Sequence, residues 1–121
     1  MKLVITGSRF GRADVEYWLD RWVRKYGVPD LIILGDARGV DAQARAWCIK
    51  HGYNHRVFVA DWATHGKAAG PLRNQQMMDA ADVGDWCIGL PAGEGAGTFD
   101  CLRRAKNRGL FIVVPPEKTA A

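Results

Sequence analysis

Apolar positions fall along this chain in short blocks separated by amphipathic stretches. "KLVIT" (2–6) is rich in β-branched residues and ended by Gly7, so it reads as a buried strand. Val15, Trp18, Leu19, Trp22, Val23 and Tyr26 then recur at helical spacing, with Glu16, Asp20, Arg21 and Arg24 on the other face. Gly27 and Pro29 stop that helix. "DLIIL" (30–34) is a second strand, and a helix is expected from about Val40 to His51, capped by Gly52. "HRVFVA" (55–60) is a third strand. A polar, Gly-rich loop follows, and Gly70-Pro71 sets the start of a helix over about 71–80, since Pro is favoured in a first turn. "DWCIGL" (85–90) is a fourth strand. "PAGEGAG" (91–97) is a turn, Thr98 is the expected N-cap of a helix over about 99–108, and "LFIVV" (110–114) is the last strand.

Strands that alternate with helices, and are apolar on both faces, imply an α/β fold with a parallel sheet covered on both sides. The simplest arrangement is a single Rossmann-like domain over residues 1–114, with five parallel strands in the order 3-2-1-4-5 and helices on both faces. Residues 115–121, "PPEKTAA", read as a loose tail. In such a sheet, ligands bind beyond the carboxyl ends of the strands, where strand order reverses between the first and the fourth.

Composition changes this picture little. The 121 residues fit one domain, and 48% apolar with 25% charged residues is ordinary for a globular protein. The formal charge is +4. Arg103, Arg104, Lys106 and Arg108 cluster near one end, and Arg21, Arg24 and Lys25 near the other. The excess fits a nucleic-acid partner, but both clusters end predicted helices, where cations complement the macrodipole; anionic small ligands fit the same balance. Cys48, Cys87 and Cys101 form no CxxC pair, so no disulfide framework, metal site or cofactor is implied. Cys101 reads either as a thiol activated in a first helical turn or as a buried packing residue. Reduced thiols suggest the cytoplasm, and no apolar run is long enough for a membrane span.

The unusual residues gather at carboxyl ends of strands. "TGSRF" offers Gly7 for close backbone approach, the hydroxyl of Ser8 and the planar cation of Arg9. In "GDARGVD", after Gly35, Arg38 can pair with an anion and Gly39 opens a helix whose N–H groups can hold one. Asp41 either binds a ribose hydroxyl or caps backbone N–H groups. Gly95, Gly97 and Thr98 form a second anion nest. "DWATHGKAAGPLRN" adds Trp62, His65, Lys67, Arg73 and Asn74. The connections at the amino ends are plain by comparison. There is no GxxxxGK[ST] and no GxGxxG after the first strand.

"VITGSRF", "GDARGVDAQARAW", "ADWATHGKAAGPLRNQQMM" and "GAGTFDCLRRAKNRG" together resemble the SLOG superfamily, specifically its YspA-like (cpYpsA-related) branch, over nearly the whole chain. Distant relatives in that superfamily are the LONELY GUY phosphoribohydrolases and the DNA-processing protein DprA. The resemblance implies a Rossmann-like domain that senses or sequesters a nucleotide-derived ligand, such as an ADP-ribose-like or cyclic nucleotide signal, in phage–bacterium conflict. It implies a ligand edge of Gly7, Ser8, Arg9, Gly35, Arg38, Gly39, Asp41, Arg73, Asn74, Gly95, Gly97, Thr98 and Asp100, with "HGKAAGPLRN" as a mobile flap. Trp62 would stack on the base or pack the flap down.

Two departures separate the chain from the phosphoribohydrolases, the first being a turn two residues longer between Pro91 and Thr98. Their PGGxGTxxE motif ends in a catalytic Glu, where this chain has Cys101; the nearest carboxylate is Asp100. A hydrolase reading therefore rests on Asp100 or Asp41 stabilising an oxocarbenium-like sugar. Single-stranded nucleic acid binding is a third expectation, weakened because Trp18, Trp22 and Trp47 fall on predicted buried faces. A homo-oligomer paired through helices is an open possibility.

Overall fold

A computed structural model describes residues 1–93 and 95–118. Strands β1 (Lys2–Gly7), β2 (Leu31–Leu34), β3 (His55–Val57), β4 (Trp86–Leu90) and β5 (Phe111–Val113) form one sheet in the order β3-β2-β1-β4-β5. Every pairing is parallel: Leu3 lies beside Ile32 on one flank and Trp86 on the other. Helices α1 (Val15–Tyr26), α2 (Val40–His51), α4 (Ala69–Asp79) and α5 (Ala96–Arg108) cover it, with a short α3 (Trp62–His65) and a 3₁₀ turn (Gly66–Ala68) before α4. This is the expected single Rossmann-like architecture.

The two faces follow from the period-2 alternation of strand side chains. Leu3, Ile5, Ile32, Leu34, Ile88 and Leu90 point to one side, where they meet Val15, Leu19 and Trp22 of α1 and Val40, Ala44 and Trp47 of α2. Val4, Ile33 and Cys87 point to the other, against Met77 and Met78 of α4 and Cys101, Leu102 and Ala105 of α5. Burial on both sides is why each strand reads as a continuous apolar run. The α1 tryptophans are engaged within the protein: Trp22 packs edge-on against Trp86, and Trp18 Nε1 donates to Asp14 Oδ2 at 2.9 Å.

Three local expectations need correction. The segment after β3 is helical, not an open loop. Asp61 accepts from the Thr64 amide at 3.1 Å and caps α3, and Gly66, at φ 54°, turns the chain into the 3₁₀ turn. Helix α5 starts at Ala96, so Thr98 lies inside its first turn and Gly95 is the N-cap; the low helix propensity of Gly95 and Gly97 hid those positions. Cys101 therefore sits in the second turn of α5, and it is buried, as are Cys48 of α2 and Cys87 of β4.

The first residues of the tail are tied down. Arg12 and Asp14 form a buried ion pair at 2.7 Å. The same guanidinium donates to the carbonyls of Pro91, Pro115 and Pro116, and the Lys118 amide donates to Asp14 Oδ2. Residues 115–118 are thus not loose; 119–121 lie outside the described residues. Among the described residues no helix is long and apolar enough to cross a membrane.

Candidate functional site

A cleft of about 990 Å³ opens at the carboxyl edge of the sheet, at the point where strand order reverses. Its floor is Thr6 and Gly7 of β1, with Ser8, Arg9 and Phe10 beyond, and Gly35 and Ala37 after β2. One wall is α3 and α4, through Trp62, Gly70, Arg73, Asn74 and Met77. The other is the start of α5, from Gly95 to Asp100, and Arg103. Of the residues expected from the sequence, Gly7, Ser8, Arg9, Gly35, Asp41, Trp62, Arg73, Asn74, Gly95, Gly97, Thr98 and Asp100 meet here.

Arg38, Gly39, His65 and Lys67 do not line the cleft. Arg38, His65 and Lys67 are exposed elsewhere. Gly39 has a packing reason instead. It takes φ 74°, and a Cβ there would lie 2.4 Å from Ser8 O, Arg9 C and Gly11 N. The α2 amide that was to hold an anion, Val40 N–H, donates to Ser8 O at 2.9 Å. Gly7 and Ser8 line the cleft but also serve the fold. A Cβ on Gly7 would come within 2.6 Å of Leu90 O and Val40 Cγ1. Ser8 Oγ accepts from the Phe10 amide at 3.1 Å, fixing the turn that presents Phe10.

The polar heart of the cleft is a chain of contacts from β2 to α5. Arg73 Nη1 pairs with Asp36, and Asp36 Oδ1 also accepts from the Ala60 amide at 3.2 Å. Arg73 Nε donates to Asn74 Oδ1 at 3.0 Å, and Asn74 Nδ2 donates to Asp100 Oδ2 at 3.0 Å. Arg103 and Arg104 complete the shell of Asp100, at 2.7 and 2.9 Å. Among the described residues, Arg73 Nη2 has no hydrogen-bond partner, while Nε and Nη1 are used, and the residue lines the cleft. Asp36 escaped the sequence reading because its link to Arg73 spans 37 residues.

The two cleft carboxylates differ. Desolvation works against ionised Asp100, but the hydrogen bonds from Arg104 and Asn74 outweigh it and hold the carboxyl below its ordinary value. Asp41 is raised to about 6, first by burial and further by the Asp36 charge, against the pull of the Ala37 amide and Arg73. One Asp41 oxygen, Oδ2, accepts from Ala37 N–H at 3.1 Å. It thus caps backbone with one atom while lining the cleft. Gly35 makes room for this packing: a Cβ there would lie 2.6 Å from Asp41 Oδ2 and 2.9 Å from Arg73 Nη1.

Donors and rings complete the lining. Among the described residues no side chain caps the N-terminus of α5, and the macrodipole there favours an anion. Trp62, Phe10 and Phe99 stand at the rim, 58%, 74% and 52% exposed. The Trp62 ring rests near Gly70, 3.3 Å from where a Cβ would be. The Arg9 guanidinium lies over the Phe10 ring, 5.0 Å from its centroid. The sequence reading missed both Phe residues, since an isolated Phe in an α/β chain reads as core. Among the described residues no three His, Cys, Asp or Glu side chains gather as metal ligands.

No protein-family model matches the chain. It is 36% identical over 122 residues to the Gene 61 protein of Mycobacterium phage D29, a match covering 93% of this chain and 94% of that one. The chain belongs to the family of that phage protein. The match runs nearly end to end in both proteins.

Proposed function

We propose that this protein binds a nucleotide-derived anion in the cleft, of the ADP-ribose-like or cyclic nucleotide kind, and senses or sequesters it. The observation that carries this reading is the meeting, in one cleft, of the N-terminus of α5, the guanidinium of Arg73 and an exposed indole at Trp62. Helix amides and arginine suit phosphate, and an aromatic face suits a base. Twelve of the residues implied by the SLOG resemblance or by the loop chemistry line this cleft, which supports membership of the YspA-like branch. A relative from a phage supports a setting in phage–bacterium conflict.

A second reading, cleavage of an N-glycosidic bond, is favoured by Asp41. A carboxyl held near 6 is suited to giving a proton to a departing base at neutral pH. Asp100 suits that chemistry less well, because Arg103, Arg104 and Asn74 already offset its charge.

Incubating the protein with a pool of AMP, NAD, ADP-ribose and cyclic nucleotides, then identifying retained and altered species by mass spectrometry, separates these readings. One nucleotide returned intact from the denatured protein supports binding. Accumulating free base and ribose phosphate marks a hydrolase. A pool neither retained nor altered rejects both.

A further inference from the structure

The sheet is unevenly covered at its β5 edge. Side chains alternate along β5. Ile112 packs into the layer beneath α4 and α5, while Phe111 and Val113 turn to the α1 side. A parallel sheet buries both faces under helices, yet Phe111 is 57% exposed. Tyr26, the last residue of α1, stacks on Trp86 at 4.5 Å between ring centroids, and Phe111 lies beside Trp86 at 5.1 Å. The three rings form an aromatic shelf at the amino ends of β4 and β5, the opposite end of the sheet from the cleft. Residues 115–118 do not reach it, because they are tied to Arg12, Asp14 and the Tyr17 ring, at the start of α1. An uncovered apolar patch of this kind marks a contact surface.

The flank of α1 beside the shelf is cationic. Its acidic flank is engaged with α2: Glu16 faces Lys50, and Asp20 faces His51 and accepts from Trp47 Nε1. Arg21 and Lys25 lie well round the helix from those two carboxylates. Both are exposed, neither makes an ion pair among the described residues, and Lys25 Nζ lies 5.2 Å from the centroid of the Tyr26 ring. The indoles add an independent observation. Trp18 and Trp47 each donate to an aspartate, but Trp22 Nε1, buried against Tyr26 and Trp86, has no acceptor among the described residues. Unpaired cations and an unanswered indole N–H both call for a partner rich in acceptors.

We propose that this shelf docks a partner protein through an amphipathic helix with an acidic flank, laid beside α1 over β4 and β5. The apolar stripe of that helix covers Tyr26, Trp86 and Phe111, and its carboxylates face Arg21 and Lys25. A second copy of this chain is a poorer occupant, because two α1 helices brought together would set Arg21 and Lys25 against their like. The surface is remote from the cleft, so the proposal stands whatever the cleft binds.

Fluorescence anisotropy with a labelled helical peptide of roughly 18 residues, leucines along one stripe and glutamates elsewhere, tests it. One control peptide carries lysine in place of glutamate, and another scrambles the order. The acidic helix binds about tenfold tighter than either control. Phe111→Ala and Arg21→Glu, both at exposed positions, each weaken it about tenfold while circular dichroism shows the variants folded. No binding by the acidic peptide, equal binding of all three peptides, or binding unchanged by either substitution overturns the proposal. So does a dimer in sedimentation runs that Phe111→Ala makes monomeric, since a second copy then covers the shelf.

Discussion

Asn74 and Asp100 join α4 to α5, one wall of the cleft to the other, with the Asn74 carboxamide donating to the Asp100 carboxylate at 3.0 Å. Asn74 is buried and its oxygen accepts from Arg73. The amide therefore couples the guanidinium that lines the cleft to a carboxylate shared by Arg103 and Arg104. In Asp100→Asn the shape is kept and the charge is lost, leaving Arg103 free for an anion. Affinity for phosphate-bearing ligands is expected to rise several-fold, read by calorimetry. A loss of affinity at unchanged melting temperature would mean that Asp100 itself holds the ligand.

Asp41 makes stability fall with rising pH. Its folded value, about 6, lies above the ordinary 3.8, so the folded protein holds this proton more tightly than the unfolded chain. The resulting stabilisation is fully present below about pH 4 and is lost as pH rises through 6. Two units correspond to about 3 kcal/mol. Asp41→Asn removes the dependence. Urea unfolding of both proteins at pH 4 and pH 7.5 should show the variant gaining about 3 kcal/mol on the wild type between the two conditions. A difference that does not change with pH rejects the assignment.

Two glycines of the cleft should respond in opposite ways to alanine. At Gly35 the new methyl would strike Asp41 and Arg73, costing about 1–3 kcal/mol and displacing the arginine that lines the cleft. At Gly97, inside α5, a Cβ meets nothing within 4 Å, and alanine is the better helix former by up to about 1 kcal/mol. Gly97→Ala should therefore melt no lower than wild type. If its nucleotide affinity nevertheless drops, the ligand approaches the α5 main chain closely.

Arg12→Ala would leave the Asp14 carboxylate buried without its cation and release the carbonyls of Pro91, Pro115 and Pro116. The expected loss is about 3–5 kcal/mol. Limited proteolysis should then cut the chain after residue 114 faster than in the wild type. Equal rates would show that Arg12 does not hold the tail.

Much of the fold is legible in the sequence because both faces of the sheet are buried. Leu3, Val4 and Ile5 point alternately to different helical layers, yet all are apolar, so the strand stands out as a block. The α5 start was less legible, because Gly95 and Gly97 look like a turn and the helix there is set by tertiary placement. Helix α3 has four residues, too short for any periodicity to register.

The site divides in the same way. That special residues collect after strand ends is a matter of order along the chain, and the sequence determined it, together with the parallel sheet and its switch point. Which arginine faces the cleft was decided in three dimensions. Arg38 and Arg73 look equally available in the sequence, but Arg73 is drawn inward by Asp36 while Arg38 remains in solvent. The fate of Gly39 and the exposure of Phe10 and Phe99 likewise depend on how separate turns pack. Local patterning fixes what each segment becomes; the packing of distant segments fixes which side chains are buried, paired or left open, and that cannot be read one segment at a time.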